Sequence, residues 1–247
     1  MNRGCGDDLF EHAAEAARRS ELETSLEVVR ERIERACRAA GRDRRDVTLI
    51  AVTKFFPASD VRLLAGLGVR DVGENRDQEA REKLADPAVV DLGLTVHFIG
   101  QLQTNKAASV VAYADVIHAV DRARLVASLE RAARAASRRL RVLVQVRLDD
   151  GPGRGGVAPE DAADLASAIA QTSSLDLAGV MAVAPPGGDP DVAFGRLREV
   201  ADGIRAEHPE ATWLSAGMSG DLEAAIHHGA THLRVGSAIL GSRPTLR

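Results

Sequence analysis

The segment LIAVTKFFP carries a lysine, Lys54, behind five largely apolar residues. A lysine amine desolvated among apolar neighbours loses basicity, becomes nucleophilic near neutral pH and can condense with an aldehyde or ketone to a Schiff base. The alternative is a strand-end lysine whose head reaches water along a buried stem. Two later segments have the composition of an anion cradle. In LSAGMSGD, Gly217 and Gly220 leave backbone N–H groups uncovered, and Ser219 can either cap a following helix or donate its hydroxyl to an anion. Asp221 opposes an anion there if its carboxylate points inward. In LRVGSAILGSR, Gly236 and Ser237 offer two more N–H groups and another hydroxyl, while Arg234 falls inside an apolar run. An arginine so placed keeps its charge and needs an acceptor, either a structural carboxylate or a ligand atom. In GENRDQE, Glu74 and Asn75 would stand on the same rim as Lys54, although asparagine at a strand end is also a common turn former. A Schiff-base lysine facing an anion cradle suits an aldehyde that carries a phosphate.

Such residues meet only if the chain brings distant segments to one place. Eight β-rich runs occur, Val47 to Lys54, Asp71 to Asn75, Thr95 to Gly100, Val116 to Asp121, Arg141 to Asp149, Leu175 to Val183, Thr212 to Met218 and Leu233 to Leu240. Stretches rich in Ala, Leu, Glu and Arg separate them, with Pro159, Glu160 and Asp161 forming a helix-start signal. Alternating strand and helix implies a parallel sheet, and eight units imply an α/β fold of the (βα)8 TIM-barrel type, which needs about 250 residues. The 247 residues therefore read as one domain, 1–247. In such a barrel the functional groups belong at the C-terminal ends of the strands, and a phosphate is commonly held after strands seven and eight. Too few residues follow the last run for an ordinary eighth helix. Within the N-terminal segment 1–41, Leu22, Leu26, Val29, Ile33 and Ala36 recur at helical spacing before a stop at Gly41, and this extra helix can take the vacant place in the outer ring.

Composition narrows the partners. Hydrophobic residues make up 45% and charged residues 28%, a globular balance, and 32 Lys and Arg against 36 Asp and Glu leave a net charge of −4. With no basic excess and 3% aromatics, nucleic acid is not an expected partner. No apolar run has the length of a membrane span and the N-terminus lacks a signal-peptide core, so no membrane partner and a cytoplasmic location are expected. Cys5 and Cys37 have no metal-ligand spacing and read as ordinary thiols. His97 lies inside a strand and reads as a hydrogen-bonded barrel histidine. The segment Gly151 to Gly156 matches G-x-G-x-x-G, with Asp176 about 20 residues beyond. Its glycines do not open a helix directly and Asp176 begins its strand, so a loop over the barrel mouth is the better reading.

Five motifs in order, AVTK, GEN-x-x-QE, HFIGQLQTNK, GMS-x-D and LRVGSAILGSR, resemble the pyridoxal 5′-phosphate homeostasis protein family from about Val47 to Arg243. The resemblance implies the barrel of the alanine racemase N-terminal domain and pyridoxal phosphate (PLP) held as a covalent aldimine, a Schiff base, on Lys54. It implies a cofactor-binding set of Lys54, Asn75, Gly217, Met218, Ser219, Arg234, Gly236 and Ser237, with the phosphate near Ser219, Gly236 and Ser237 and Arg234 facing the pyridine nitrogen. Phe55 and Phe56 stand where a polar residue and a lysine are common in that family, Val96 replaces a frequent tryptophan and Ala216 a frequent methionine. The first two bear on what can approach the lysine.

The resemblance implies intracellular storage, buffering or delivery of PLP by a monomer, with PLP-dependent apo-enzymes as recipients and no turnover. The opposing readings are a PLP-dependent amino-acid racemase and a Schiff-base aldolase acting on a phosphosugar. A two-base racemase needs a second acid or base across the cofactor, which related racemases take as a tyrosine from a second domain. Tyr113, the one tyrosine of this chain, falls in a predicted crossover. An arginine at the pyridine nitrogen also keeps that nitrogen unprotonated and weakens the ring as an electron sink. The binding protein is the preferred reading.

Overall fold

The computed structural model describes residues 5–149 and 155–242, and the side chains from residue 12 onward within the first of these. Each β-rich run supplies a short strand: β1 (Thr48–Val52), β2 (Asp71–Glu74), β3 (Thr95–Phe98), β4 (Val116–Val120), β5 (Leu140–Gln145), β6 (Leu175–Met181), β7 (Trp213–Ser215) and β8 (His232–Val235). All neighbours pair in parallel, and β8 closes on β1 with Thr48 opposite His232 and Ala51 opposite Val235. The runs are apolar on successive residues because helices cover one face and the opposite strands the other. β4 is buried along its whole length.

Ten helices are described: α1 (Cys5–Ala39), α2 (Ala58–Gly66), α3 (Asp77–Leu84), α4 (Pro87–Val90), α5 (Ala107–Val111), α6 (Ala123–Ala135), α7 (Ala162–Ala170), α8 (Pro190–Glu207), α9 (Leu222–His227) and α10 (Ser237–Leu240). α1 buries Leu22, Leu26, Val29, Ile33 and Cys37 and packs against α2, α9 and α10, so it occupies the eighth place in the ring. It stops at a Schellman turn: Arg42 N–H donates to Cys37 O at 2.9 Å and Gly41 N–H to Arg38 O at 3.2 Å, with Gly41 at φ +65°. Burial pushes the Cys37 thiol up, the behaviour of an inert core cysteine.

The sequence reading of the last run needs correction. Only His232–Val235 is strand, and Ser237–Leu240 is helix. A short apolar run carries no period that separates the two states, and the junction falls at Gly236, where the chain crosses the end of β1. Pro159–Asp161 forms a single 3-10 turn that leads into α7, and Gly155 and Gly156 precede it without opening a helix. Most of the G-x-G-x-x-G segment, Gly151 to Arg154, lies outside the described residues. Asp176, opposite Arg141 near the N-terminal end of β6, is ion-paired to Arg139.

Candidate functional site

Parallel closure puts the C-terminal ends of all eight strands on one mouth. A cavity of about 490 Å³ opens there, bounded by Val52, Lys54, Phe55, Phe56, Asn75, Ile99, Met181, Val183, Met218, Ser219, Gly220, Arg234, Gly236, Ser237, Gly241 and Ser242. Seven of the eight residues singled out in the sequence are among them. Gly217 is not; it lies behind the wall. Its φ of +90° belongs to the left-handed region, and a Cβ there would fall 2.6 Å from Ala225 Cβ and 2.9 Å from Leu233 Cδ2. Gly217 therefore lets the loop after β7 press onto α9 and β8, and its carbonyl accepts Arg234 N–H at 2.9 Å.

Lys54 stands two residues beyond β1, half-buried in a tight turn. The peptides on both sides of it are held by α3: Lys83 Nζ donates to Thr53 O at 2.7 Å, and Phe55 N–H donates to Glu79 Oε1. Phe55 has a φ of +71°, a left-handed conformation that a bulky residue adopts only when its surroundings impose it. Its ring has Lys54 Nζ 5.9 Å and Arg76 Cζ 5.1 Å from its centroid, within cation–π range. Phe56, the second departure from the family pattern, is buried in the cavity floor. Val96 and Ala216 are core residues that do not reach the cavity.

Glu74 is not on the rim. It is buried and faces α3, accepting from Thr53 Oγ1 at 2.6 Å and Lys83 Nζ at 2.7 Å, and Lys83 also reaches Glu79 at 3.2 Å. Burial pushes the Glu74 carboxyl up, opposed by the Lys83 ammonium and the Thr53 hydroxyl, and its Oε2 has no hydrogen-bond partner. The cluster is a bracket behind the lysine and no part of the cavity wall. Asn75 remains on the wall, where Gly100 passes over it so closely that a Cβ would lie 2.1 Å from Asn75 O.

Arg234 is buried on β8 and donates to Ser215 Oγ at 2.6 Å and to Ala182 O at 2.8 Å. Its protein acceptors are thus a hydroxyl and a carbonyl, and not a structural carboxylate. Burial pushes its pKa down to about 10, still charged at neutral pH. Ser219 does not cap the next helix, whose N-cap is Asp221. Instead Ser219 Oγ lies 3.2 Å from both Ser237 Oγ and Ala238 N, so the hydroxyls of the two loops meet. Asp221 is turned back onto its own loop, accepting Met218 N–H at 2.6 Å. His97 is a buried, hydrogen-bonded barrel residue as expected. Tyr113 follows α5 and does not line the cavity; burial raises its phenol pKa.

A (βα)8 barrel whose C-terminal mouth offers a lysine amine, a buried guanidinium and a pair of serine hydroxyls is a barrel of the alanine racemase type, and residues 24–244 match the family model described as the alanine racemase N-terminal domain. Among relatives, the pyridoxal phosphate homeostasis protein of Mycobacterium tuberculosis is 44% identical, with 92% of this chain and 94% of that protein covered. The chain belongs to the pyridoxal phosphate homeostasis protein family. Similar solved structures include a protein of unknown function from Bifidobacterium adolescentis, with a TM-score of 0.84, 32% identity and 90% and 96% of the two chains covered. Another is PipY of Synechococcus elongatus with PLP bound, at a TM-score of 0.75, 35% identity and 85% and 99% coverage. Among the described residues no helix is long and apolar enough to cross a membrane, and no cluster of His, Cys, Asp and Glu is placed to hold a metal.

Proposed function

We propose that the chain binds pyridoxal 5′-phosphate at the C-terminal mouth of the barrel, as a Schiff base on Lys54, and stores or delivers it without turning over a substrate. One observation carries the reading: Lys54, Arg234, Ser219 and Ser237 border a single cavity of about 490 Å³, a volume typical of a cofactor site. The donor set fits the group. Val52, Ile99, Met181 and Val183 offer apolar walls for a flat ring, and Asn75 a polar edge. The Ser219 and Ser237 hydroxyls and the backbone about Gly236 suit a phosphate. Arg234 uses two of its five N–H donors on protein acceptors, which leaves others for a ring nitrogen. The naming of its relatives and the PLP bound by PipY agree with this assignment.

When bound, the cofactor supplies the aldehyde that the lysine amine captures. The chain's own residues hold and orient: α3 fixes the backbone on either side of Lys54, and Arg234 keeps an unprotonated pyridine nitrogen as its partner, which limits carbanion chemistry. Besides Lys54 and Arg234, the described lining residues are apolar, amide or hydroxyl-bearing, so none is suited to exchange a proton across the ring at neutral pH. That favours a carrier that passes the cofactor to PLP-dependent apo-enzymes.

The test is incubation of the purified protein with PLP, borohydride reduction and peptide mapping. A visible absorption band and a reduced adduct on Lys54, both lost in Lys54→Ala, are expected. A persistent adduct on another lysine in Lys54→Ala would overturn the assignment. Racemisation of an amino acid that disappears in Lys54→Ala would replace the carrier with an enzyme.

A further inference from the structure

The interior of a (βα)8 barrel is ordinarily filled by layers of branched apolar side chains. Here a line of polar groups crosses it. Asp71, at the N-terminal end of β2, lies 3.0 Å from His97 Nε2; His97 Nδ1 lies 2.9 Å from His118 Nε2; His118 Nδ1 lies 3.0 Å from Ser215 Oγ; and Arg234 donates to the same Ser215 oxygen at 2.6 Å. His97, His118, Ser215 and Arg234 are buried, whereas the Asp71 carboxylate is partly exposed at the mouth opposite the cavity.

The two ends and the serine between them set the direction of the bonds. A carboxylate only accepts, so His97 Nε2 carries a hydrogen. From the other end, an arginine only donates, so the Ser215 oxygen accepts from it. Among the described residues the acceptor within reach of the Ser215 hydroxyl hydrogen is His118 Nδ1. With its Nδ1 accepting, His118 donates from Nε2 to His97 Nδ1, and donation runs from Arg234 through Ser215, His118 and His97 to Asp71. Burial, with His97 and Arg234 beside it, holds the His118 pKa well below its ordinary value, in keeping with a neutral ring.

We propose that Asp71 is a positioning residue for Arg234, fixing through His97, His118 and Ser215 the direction in which the guanidinium faces the cavity. Its effect on the cofactor rests on the function proposed above; its effect on Arg234 does not. Without an acceptor at position 71, His97 and His118 can reverse their tautomers, Ser215 can turn its hydrogen elsewhere, and the guanidinium loses a directed partner.

The experiment uses nitrogen-15 NMR of histidine and arginine side chains in the full chain, first without PLP. At neutral pH, His97 and His118 are expected as neutral Nε2–H tautomers, and Arg234, assigned by the loss of its signals in Arg234→Lys, is expected to show separate, slowly exchanging Nη resonances. Asp71→Ala should average those resonances, and Asp71→Asn, which keeps an acceptor oxygen, should preserve them. An Nδ1–H tautomer or an imidazolium at either histidine, or unchanged Arg234 signals in Asp71→Ala, would overturn the proposal. The tautomer measurement needs only the unaltered chain and remains decisive if a variant fails to fold. With PLP added, Asp71→Ala should retain the cofactor on the order of tenfold less tightly, as for loss of other groups that orient a ligand-binding side chain. If the unaltered protein captures no PLP while its tautomers and Arg234 signals behave as stated, the proposed function fails and the positioning role stands.

Discussion

Replacement of Lys83 by methionine tests whether the bracket behind Lys54 is a coupled unit. The ammonium is buried and makes three contacts, to Glu74 Oε1 at 2.7 Å, Thr53 O at 2.7 Å and Glu79 Oε1 at 3.2 Å. Methionine keeps the stem and removes all three. Glu74 is then left with the Thr53 hydroxyl for one oxygen and nothing for the other, which already has no partner. Breaking a buried ion pair in this one-sided way costs about 3–5 kcal/mol, a large part of the ~5–15 kcal/mol that holds a domain folded. For a chain of this size that is a fall in Tm of roughly 6–20 °C. The cost should shrink in mild acid, because a carboxyl whose folded pKa is raised takes up its proton on folding and gains stability as pH falls. Adding Glu74→Gln to Lys83→Met removes the stranded charge, so the double variant should be more stable than Lys83→Met alone. Urea or thermal unfolding at pH 5 and pH 8 measures all of this. A loss below about 1 kcal/mol in Lys83→Met, or a double variant that loses the sum of the two singles, would refute the coupling.

Gly217→Ala should destabilise by about 2–4 kcal/mol, from a left-handed φ plus an overpacked methyl against Ala225 and Leu233; a thermal melt within 2 °C of the parent contradicts this. The buried histidines make the fold acid-sensitive. Burial, aided by His97, lowers His232 from 6.5 to about 3 against the opposing pull of Asp71, with Arg234 and Arg141 adding to the lowering, and His118 is lowered too. Between about pH 6.5 and 3 the unfolded chain binds the His232 proton and the folded one does not, and the lowered His118 acts in the same sense below pH 6.5. Stability is therefore full above pH 6.5 and falls below it by about 1.4 kcal/mol per pH unit for each such histidine. Unfolding curves from pH 7.5 to 4.5, with His232→Gln showing a shallower slope, check the assignment.

The strands, the ring place of α1 and the lining role of Lys54, Arg234, Ser219 and Ser237 were legible because each depends on local pattern: an apolar run, a helical stripe, a charge or hydroxyl at a run's end. The bracket was not. DQEAREKL reads as a solvated helix, and nothing in its spacing tells that Lys83 and Glu79, one turn apart, face inward. The line from Asp71 to Arg234 was hidden for a related reason. Its links join residues 26, 21, 97 and 19 positions apart, and only the register of a closed barrel brings them into reach. Of the two roles open to Ser219, only the fold rules out the cap, since a serine before a short helix signals one wherever no second loop competes for its hydroxyl.

The place of α1 in the ring sets an order of events during synthesis. Arg32 of α1 donates to Ser219 O at 3.0 Å and pairs with Glu223, and Arg18 donates to Leu240 O at 3.1 Å. Arg32 must therefore wait for a partner 187 residues later, roughly 10–40 s at ordinary rates of translation. For that interval α1 lacks its packing against α9 and α10, and the two serine loops do not yet exist. The nascent chain consequently carries Lys54 long before it carries the two serine loops that share its cavity.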